Sequence, residues 1–186
     1  MDNGASSYRR FLEGDDNGLV EIIRDYKDGL MLYLNRYVQN IHIAEDLMED
    51  VFVRLVIKRP RFSEKSTFKT WLYSIGRNVA VDYVRKHSKI ETVPEEELSL
   101  ILKDEQNIEL EYIRNERKII LHRALGRIKS EYSRVLYLIY FESFNITEAS
   151  FIMKKTYKQT QNLIYRAKLS LKSELEKEGF VYEELY

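Results

Sequence analysis

The chain has no cysteine, and its 186 residues include only 2 prolines and 7 glycines. The absence of cysteine excludes disulfides, thiolate zinc sites and cysteine nucleophiles. The longest uncharged run, residues 37–44, is far shorter than the roughly 18 apolar residues that a membrane span needs. No signal peptide is visible. With few helix breakers and 44% apolar residues, the composition favours a helical protein, which we expect in the cytoplasm.

The net charge of zero conceals blocks of opposite sign. Residues 13–50 carry 10 acids and 3 bases, whereas residues 54–90 carry 10 bases and 2 acids. Residues 91–116 carry 9 acids and 2 bases, and residues 154–177 carry 7 bases and 2 acids. Two basic blocks separated by an acidic one indicate two anion-binding surfaces, although solvated helix faces are the simpler alternative.

Apolar residues recur every three or four positions through most of the chain, which is typical of amphipathic helices. The pattern predicts helices over about 19–41, 43–55, 68–85, 108–128, 131–141, 146–153 and 157–177. We therefore expect an all-α fold of two small helical domains joined by an acidic linker. The expected segments are a flexible N-terminus 1–18, a first domain 19–90, a linker 91–107, a second domain 108–178 and a tail 179–186.

Residues 144–168 have the pattern of a helix-turn-helix, with a short helix, the polar break Lys154-Lys155-Thr156 and a longer helix from Tyr157. The second helix of such a motif can enter the major groove, where amides pair with adenine and arginine pairs with guanine. An amphipathic hairpin with a polar outer face is the alternative. The candidate DNA-binding residues are Lys158, Gln159, Gln161, Asn162, Tyr165, Arg166 and Lys168.

Residues 61–89 mix bases with aromatic residues, a combination that suits unpaired nucleic acid because cations attract phosphate and rings stack on bases. For Phe68 and Trp71 a place in the core is the stronger alternative, whereas Phe62 in a loop is the best candidate for exposure. The candidate residues are Phe62, Lys65, Lys69, Trp71, Arg77, Asn78, Arg85 and Lys86.

Residues 44–56 form a predicted helix with an acidic outer face and an apolar second half. Val51 and Leu55 can lie in the core while Phe52 and Val56 point elsewhere, which fits docking onto a partner. A helix buried on two sides is the alternative. The candidate docking residues are Asp46, Glu49, Asp50, Val51, Phe52 and Arg54.

Taken together in their order along the chain, the three segments described above resemble the extracytoplasmic-function (ECF) group of sigma-70 factors. The resemblance covers roughly residues 19–90 and 118–178. Residues 44–55 resemble region 2.2, which docks on polymerase. Residues 68–85 resemble regions 2.3 and 2.4, which with the preceding loop open the −10 element and capture a flipped base. Residues 121–169 resemble region 4, which reads the −35 element. Lys154 departs from the family's usual glycine, and Gln161 and Leu163 stand where basic residues are common.

The resemblance implies a transcription initiation factor, not an enzyme, with no metal or other cofactor and no small-molecule substrate. Its implied partners are core RNA polymerase, through the clamp helices of the largest subunit and the flap of the second, and promoter DNA. An anti-sigma factor is a further candidate partner. The alternatives are a helix-turn-helix regulator that acts without polymerase and a helical protein-interaction module. An enzyme has little support, because His42, His87 and His122 lack ligand spacing and no glycine-rich phosphate loop is present.

Overall fold

The computed structural model of the protein describes residues 3–87 and 116–177. Within these two ranges the chain forms eight α-helices and no strand. The helices are α1 Asn3–Leu12, α2 Asn17–Val38, α3 Ile41–Lys58, α4 Phe68–His87, α5 Glu116–Arg127, α6 Ser130–Leu136, α7 Ile146–Met153 and α8 Tyr157–Lys177. A π-helical stretch, Tyr137–Phe141, continues α6. The predicted linker 91–107 and tail 179–186 lie outside the described residues.

Local signals explain where several of these helices begin and end. Gln39, with a φ of 52°, closes α2 in the left-handed conformation. Asn40 then caps α3, because its side-chain oxygen accepts a hydrogen bond of 2.9 Å from the backbone N–H of Ile43. A two-residue break therefore separates two long helices, which turn back and pack against each other.

The N-terminal half packs α1, α3 and α4 against α2. Its buried side chains include Ile22, Leu30, Leu34, Leu55, Phe68 and Leu72. The expectation of a flexible N-terminus is wrong for residues 3–12, which form α1. The reason is burial: Tyr8 and Phe11 are 1% and 2% exposed, so α1 removes two aromatic side chains from water.

The C-terminal half places α8 against α5, α6 and α7. Its buried side chains include Leu125, Val135, Leu138, Ile152, Leu163 and Ala167. The two halves also contact each other, since α4 packs on α7 and α2 packs on α6. The predicted helical domains thus share one continuous hydrophobic core in the closed arrangement that the structure describes.

Candidate nucleic-acid and polymerase surfaces

The loop between α3 and α4, residues 59–67, brings an aromatic side chain next to the start of α4. The Phe62 ring lies 5.2 Å from the Trp71 ring and 5.7 Å from the Phe68 ring, measured between centroids. Phe68 is fully buried, whereas Phe62 and Trp71 are half-buried. The loop aromatic is therefore less exposed than the sequence suggests, although Lys65 beside it is exposed.

The cationic candidates of α4 fall into two groups. Arg77 and Asn78 are half-buried and adjacent, and the Arg77 guanidinium donates to Oδ1 of Asn78 over 3.4 Å. Arg85 and Lys86 are exposed in the last turn, where basic side chains favour the helix dipole. One helix thus presents both a polar pair near its centre and a cationic end.

Lys69 contacts the other half of the protein. Its Nζ lies 2.8 Å from Oε2 of Glu142 and donates to the Glu142 backbone oxygen over 2.8 Å. The same ammonium group lies 4.9 Å above the Phe144 ring. In this arrangement Lys69 is occupied by protein groups, so its binding to phosphate would require these contacts to break.

The outer face of α3 differs from the predicted docking surface. Asp46, Glu49 and Asp50 are exposed as expected, and Arg54 is half-buried. Val51 and Phe52 lie in the core, 0% and 6% exposed, and form no part of an accessible surface. The prediction that Val51 and Phe52 bind a partner is therefore wrong. Helix α3 packs against α2 and α4, and its buried side includes position 52.

The exposed apolar residues of α3 are instead Val53, Val56 and Ile57, the last of them 74% exposed. The sequence predicted an outward position for Phe52 and Val56, which is confirmed only for Val56, and it did not identify Val53 and Ile57. An apolar patch next to three exposed carboxylates has the composition of a protein-docking surface.

The predicted helix-turn-helix is present as α7, a turn and α8. Asn145 and Glu148 form a reciprocal capping box at the start of α7. The chain leaves α7 through Lys154, which has a φ of 54°. Lysine therefore occupies the left-handed turn position where glycine is usual, at a steric cost that the flanking packing offsets.

The start of α8 uses one candidate residue for its own cap. The backbone N–H of Thr156 donates to Oε1 of Gln159 over 2.9 Å, and the N–H of Gln159 donates to Oγ1 of Thr156 over 3.2 Å. Gln159 thus completes a second reciprocal cap, and its side-chain oxygen already accepts a hydrogen bond at the helix start.

The remaining candidates on α8 are all exposed, and they share the side of the helix that faces away from the core. They are Lys158, Gln161, Asn162, Tyr165, Arg166 and Lys168. The Lys168 ammonium lies 5.4 Å above the ring of Tyr140, an exposed aromatic side chain. The exposed face carries both amide and cationic donors.

Buried tyrosines surround the junction between the halves. The rings of Tyr33 and Tyr73 lie 5.4 Å apart, and Tyr137 from the C-terminal half stacks on Tyr33 at 6.5 Å. Burial raises the pKa of the Tyr33 and Tyr73 phenols well above the ordinary value, and the neighbouring Glu142 carboxylate raises that of Tyr73 further. Both phenols therefore stay protonated at neutral pH, and that of Tyr73 donates a hydrogen bond to Glu142.

The chain is similar to known sigma factors over most of its length. The family model described as Sigma-70 region 2 matches residues 22–90, which hold α2, α3 and α4. The ECF RNA polymerase sigma factor SigM of Bacillus subtilis (strain 168) is 28% identical over 153 residues, with 82% of this chain and 92% of SigM covered. The ECF RNA polymerase sigma factor SigW of the same organism is 25% identical over 171 residues, with 88% and 91% covered. The chain is therefore similar to ECF sigma factors over most of its length, and residues 22–90 match the Sigma-70 region 2 model.

The fold of the chain also matches a solved structure. The sigma factor RpoE in complex with the anti-sigma factor NepR from Bartonella quintana aligns with a TM-score of 0.64 at 17% identity. The alignment covers 84% of this chain and 95% of that one. The two-part helical architecture is therefore shared despite low sequence identity.

Within residues 3–87 and 116–177, no group of three or more histidine, aspartate or glutamate side chains is placed to hold a metal ion. No helix in the described part of the chain is long and apolar enough to cross a membrane.

Proposed function

We propose that the protein is an ECF-type sigma factor, which directs core RNA polymerase to promoters through three separate surfaces, on α3, on α4 with its preceding loop, and on α8. The match to Sigma-70 region 2 over α2–α4 carries the proposal. That match includes two of the three surfaces, and the exposed donors of α8 supply the third. The proposed domains are 19–90 and 108–178, joined by the acidic linker.

The polymerase surface is proposed to be the outer face of α3. It combines the exposed carboxylates of Asp46, Glu49 and Asp50 with the exposed apolar side chains of Val53 and Ile57. Such a patch fits a helical partner with basic residues around an apolar stripe, and we propose the clamp helices of the largest subunit. The C-terminal half would bind the flap of the second subunit.

The opened −10 element is proposed to contact the α3–α4 loop and α4. Phe62 and Trp71 provide aromatic surface, while Lys65, Arg85 and Lys86 provide exposed cationic groups. Stacking and phosphate contact together stabilise unpaired bases and offset the cost of melting. Arg77 and Asn78, near the middle of α4, would hydrogen-bond base edges.

The −35 element is proposed to contact α8 in its major groove. Gln161, Asn162 and Arg166 present donors that suit base edges, whereas Lys158 and Lys168 suit phosphates. Tyr165, two-thirds exposed, would contact the sugar-phosphate backbone. Gln159 is proposed to act mainly through its cap at the helix start.

Simultaneous binding of both elements requires the halves to separate. Elements about 25 base pairs apart lie about 85 Å apart along B-DNA, at 3.4 Å per pair. The longest helix, α2, has 22 residues and is therefore about 33 Å long. We accordingly propose that the closed arrangement belongs to the free protein and opens in the holoenzyme, with the acidic linker between the halves.

The solved relative RpoE is bound to an anti-sigma factor, which supports an anti-sigma partner for this chain as well. Since polymerase and promoter are both in the cytoplasm, that is the proposed compartment. The proposal includes no catalytic step, because selective binding accounts for promoter recognition and opening.

The test is reconstitution with core polymerase from the producing organism and a duplex DNA library randomised over both promoter elements. The holoenzyme should enrich a two-element sequence and initiate transcription from it, whereas neither component should do so alone. Equal enrichment by the sigma chain without polymerase would contradict the proposal and would instead favour a regulator that acts on duplex DNA by itself.

A further inference from the structure

Helix α1 lies outside the matched region 2 segment, yet it is attached to the α3–α4 loop. The phenol of Tyr8 donates a hydrogen bond of 2.8 Å to the backbone oxygen of Pro60. The Tyr8 ring also lies 5.4 Å from Phe68 and 5.3 Å from Trp71. Tyr8 thus joins the loop backbone to the aromatic residues that begin α4.

Two residues of the loop adopt the left-handed conformation, and both contact α1. Arg59 has a φ of 39°, and its guanidinium lies 5.2 Å above the Phe11 ring. Glu64 has a φ of 57°, and its carboxylate pairs with Arg9 at 2.8 Å. Non-glycine residues adopt this conformation at an energetic cost, so the surrounding contacts must stabilise the loop shape. The helix α1 provides these contacts.

The attached loop and α1 together enclose a cleft of about 610 Å³ beside the Phe62 ring. Ala5, Ser6 and Arg9 line it from α1, and Phe62, Glu64 and Ser66 line it from the loop. This volume lies within the range of small-ligand pockets, and an aromatic wall with polar groups opposite suits an unstacked nucleobase. The shape of the cleft depends on where α1 holds the loop.

We infer that Tyr8 is a positioning residue for strand capture: its hydrogen bond to Pro60 holds the α3–α4 loop in the shape that accepts an unpaired base of the promoter. The inference rests on the proposed function of that loop. It assigns to α1 a part in promoter opening, with Ser6 and Arg9 as additional groups on the wall of the base-binding cleft.

The test compares two variants of α1 that each lose one hydroxyl group. Tyr8→Phe removes the bond to the loop, whereas Ser7→Ala removes a bond of 2.6 Å to Glu21 of α2 and leaves the loop contact intact. Each variant is assembled with core polymerase. Affinity is measured for a single-stranded oligonucleotide of the selected downstream element and for a duplex that carries only the upstream element.

Tyr8→Phe should weaken binding to the single strand by roughly fivefold, as expected for one lost hydrogen bond. Its binding to the upstream duplex should match wild type. In Ser7→Ala the ratio of the affinities for the single strand and the upstream duplex should stay as in wild type. Equal losses on both probes would overturn the inference, since they would show general destabilisation instead of loop positioning.

Phe62→Ala separates this inference from the proposed function. A loss of single-strand affinity in Phe62→Ala but not in Tyr8→Phe overturns the positioning role alone. Full single-strand affinity in Phe62→Ala overturns the role of the loop, and with it the inference.

Discussion

The phenol of Tyr73 donates a hydrogen bond of 2.7 Å to Oε2 of Glu142, although 69 residues separate them in the sequence. The same carboxylate oxygen lies 2.8 Å from Nζ of Lys69. The Glu142 side chain is only 11% exposed, so both interactions occur largely away from water. One carboxylate thus connects α4 of the N-terminal half to the turn that precedes the helix-turn-helix.

Replacement of Glu142 should open the closed arrangement. Glu142→Gln keeps the side-chain shape but leaves Lys69 without its counter-charge, which should weaken the contact between the halves by about 1–2 kcal/mol, a value reduced by the partial exposure of Lys69. Small-angle X-ray scattering should give a larger radius of gyration. The control Glu131→Gln removes a carboxylate paired with Lys155 inside the C-terminal half and should leave the radius unchanged. An unchanged radius in Glu142→Gln would contradict the assigned role.

A glycine of α2 permits the close approach of this carboxylate. A Cβ at Gly29 would lie 2.5 Å from Oε1 of Glu142 and 2.7 Å from the Tyr73 hydroxyl. Gly29→Ala should therefore separate the halves, even though alanine is favoured over glycine in a helix by about 1 kcal/mol. Energy transfer between dyes on the two halves should fall. Gly126→Ala in α5 is the matched control, because nothing lies within 4 Å of the added Cβ, and it should leave the transfer unchanged.

Ionisation of buried tyrosines should destabilise the fold at alkaline pH. Burial raises the pKa of Tyr8 to about 12, so the folded state holds this proton more tightly than the unfolded chain. The stabilisation is fully present below pH 10 and is lost as pH rises from about 10 towards about 12. Between pH 8 and pH 11, the unfolding free energy of Tyr8→Phe, measured in urea titrations, should decrease less than that of wild type. Tyr157→Phe, at an exposed position, is the control; identical losses in wild type and both variants would count against this account.

Substitution of two glutamines of α8 should lower different quantities, DNA affinity in one case and folding stability in the other. Gln161→Ala should weaken binding of the holoenzyme to the upstream element by about 1–3 kcal/mol without changing helix stability, because the residue is exposed and makes a proposed base contact. Gln159→Ala removes half of a cap and should instead lower stability by about 0.5–2 kcal/mol. Gel shift and thermal melting measure the two effects. A reversed pattern would show that the roles are exchanged.

Substitution of two apolar residues of α3 should affect different properties, polymerase affinity in one case and folding stability in the other. Ile57→Ser should reduce affinity for core polymerase while unfolding free energy stays within about 0.5 kcal/mol of wild type, since the side chain is already exposed. Phe52→Ala should cost about 3–5 kcal/mol of stability because it empties part of the core. Binding measured by fluorescence anisotropy and urea unfolding provide the comparison. Full polymerase affinity in Ile57→Ser would exclude this residue from the docking surface.

Helix positions were the most predictable part of the fold. The expected helices at 146–153 and 157–177 agree with α7 and α8, and the predicted helix start at residue 68 agrees with the start of α4. Periodicity and capping are local properties, so a single sequence contains them. The exposed face of α8 could be read in the same way, apart from the capping role of Gln159.

The sequence by itself determined the all-α class, most helix boundaries and the resemblance to ECF sigma factors, because these depend on short-range patterns and on motifs in fixed order. Only the tertiary structure decided that α1 is folded, that Phe52 is buried while Ile57 is exposed, and that Glu142 joins the halves. Successive residues of a helix differ in direction by about 100°, so a wide apolar arc does not specify which of its edges meets a neighbouring helix. That outcome depends on how α1, α2 and α4 approach one another, which is a property of the packed chain as a whole.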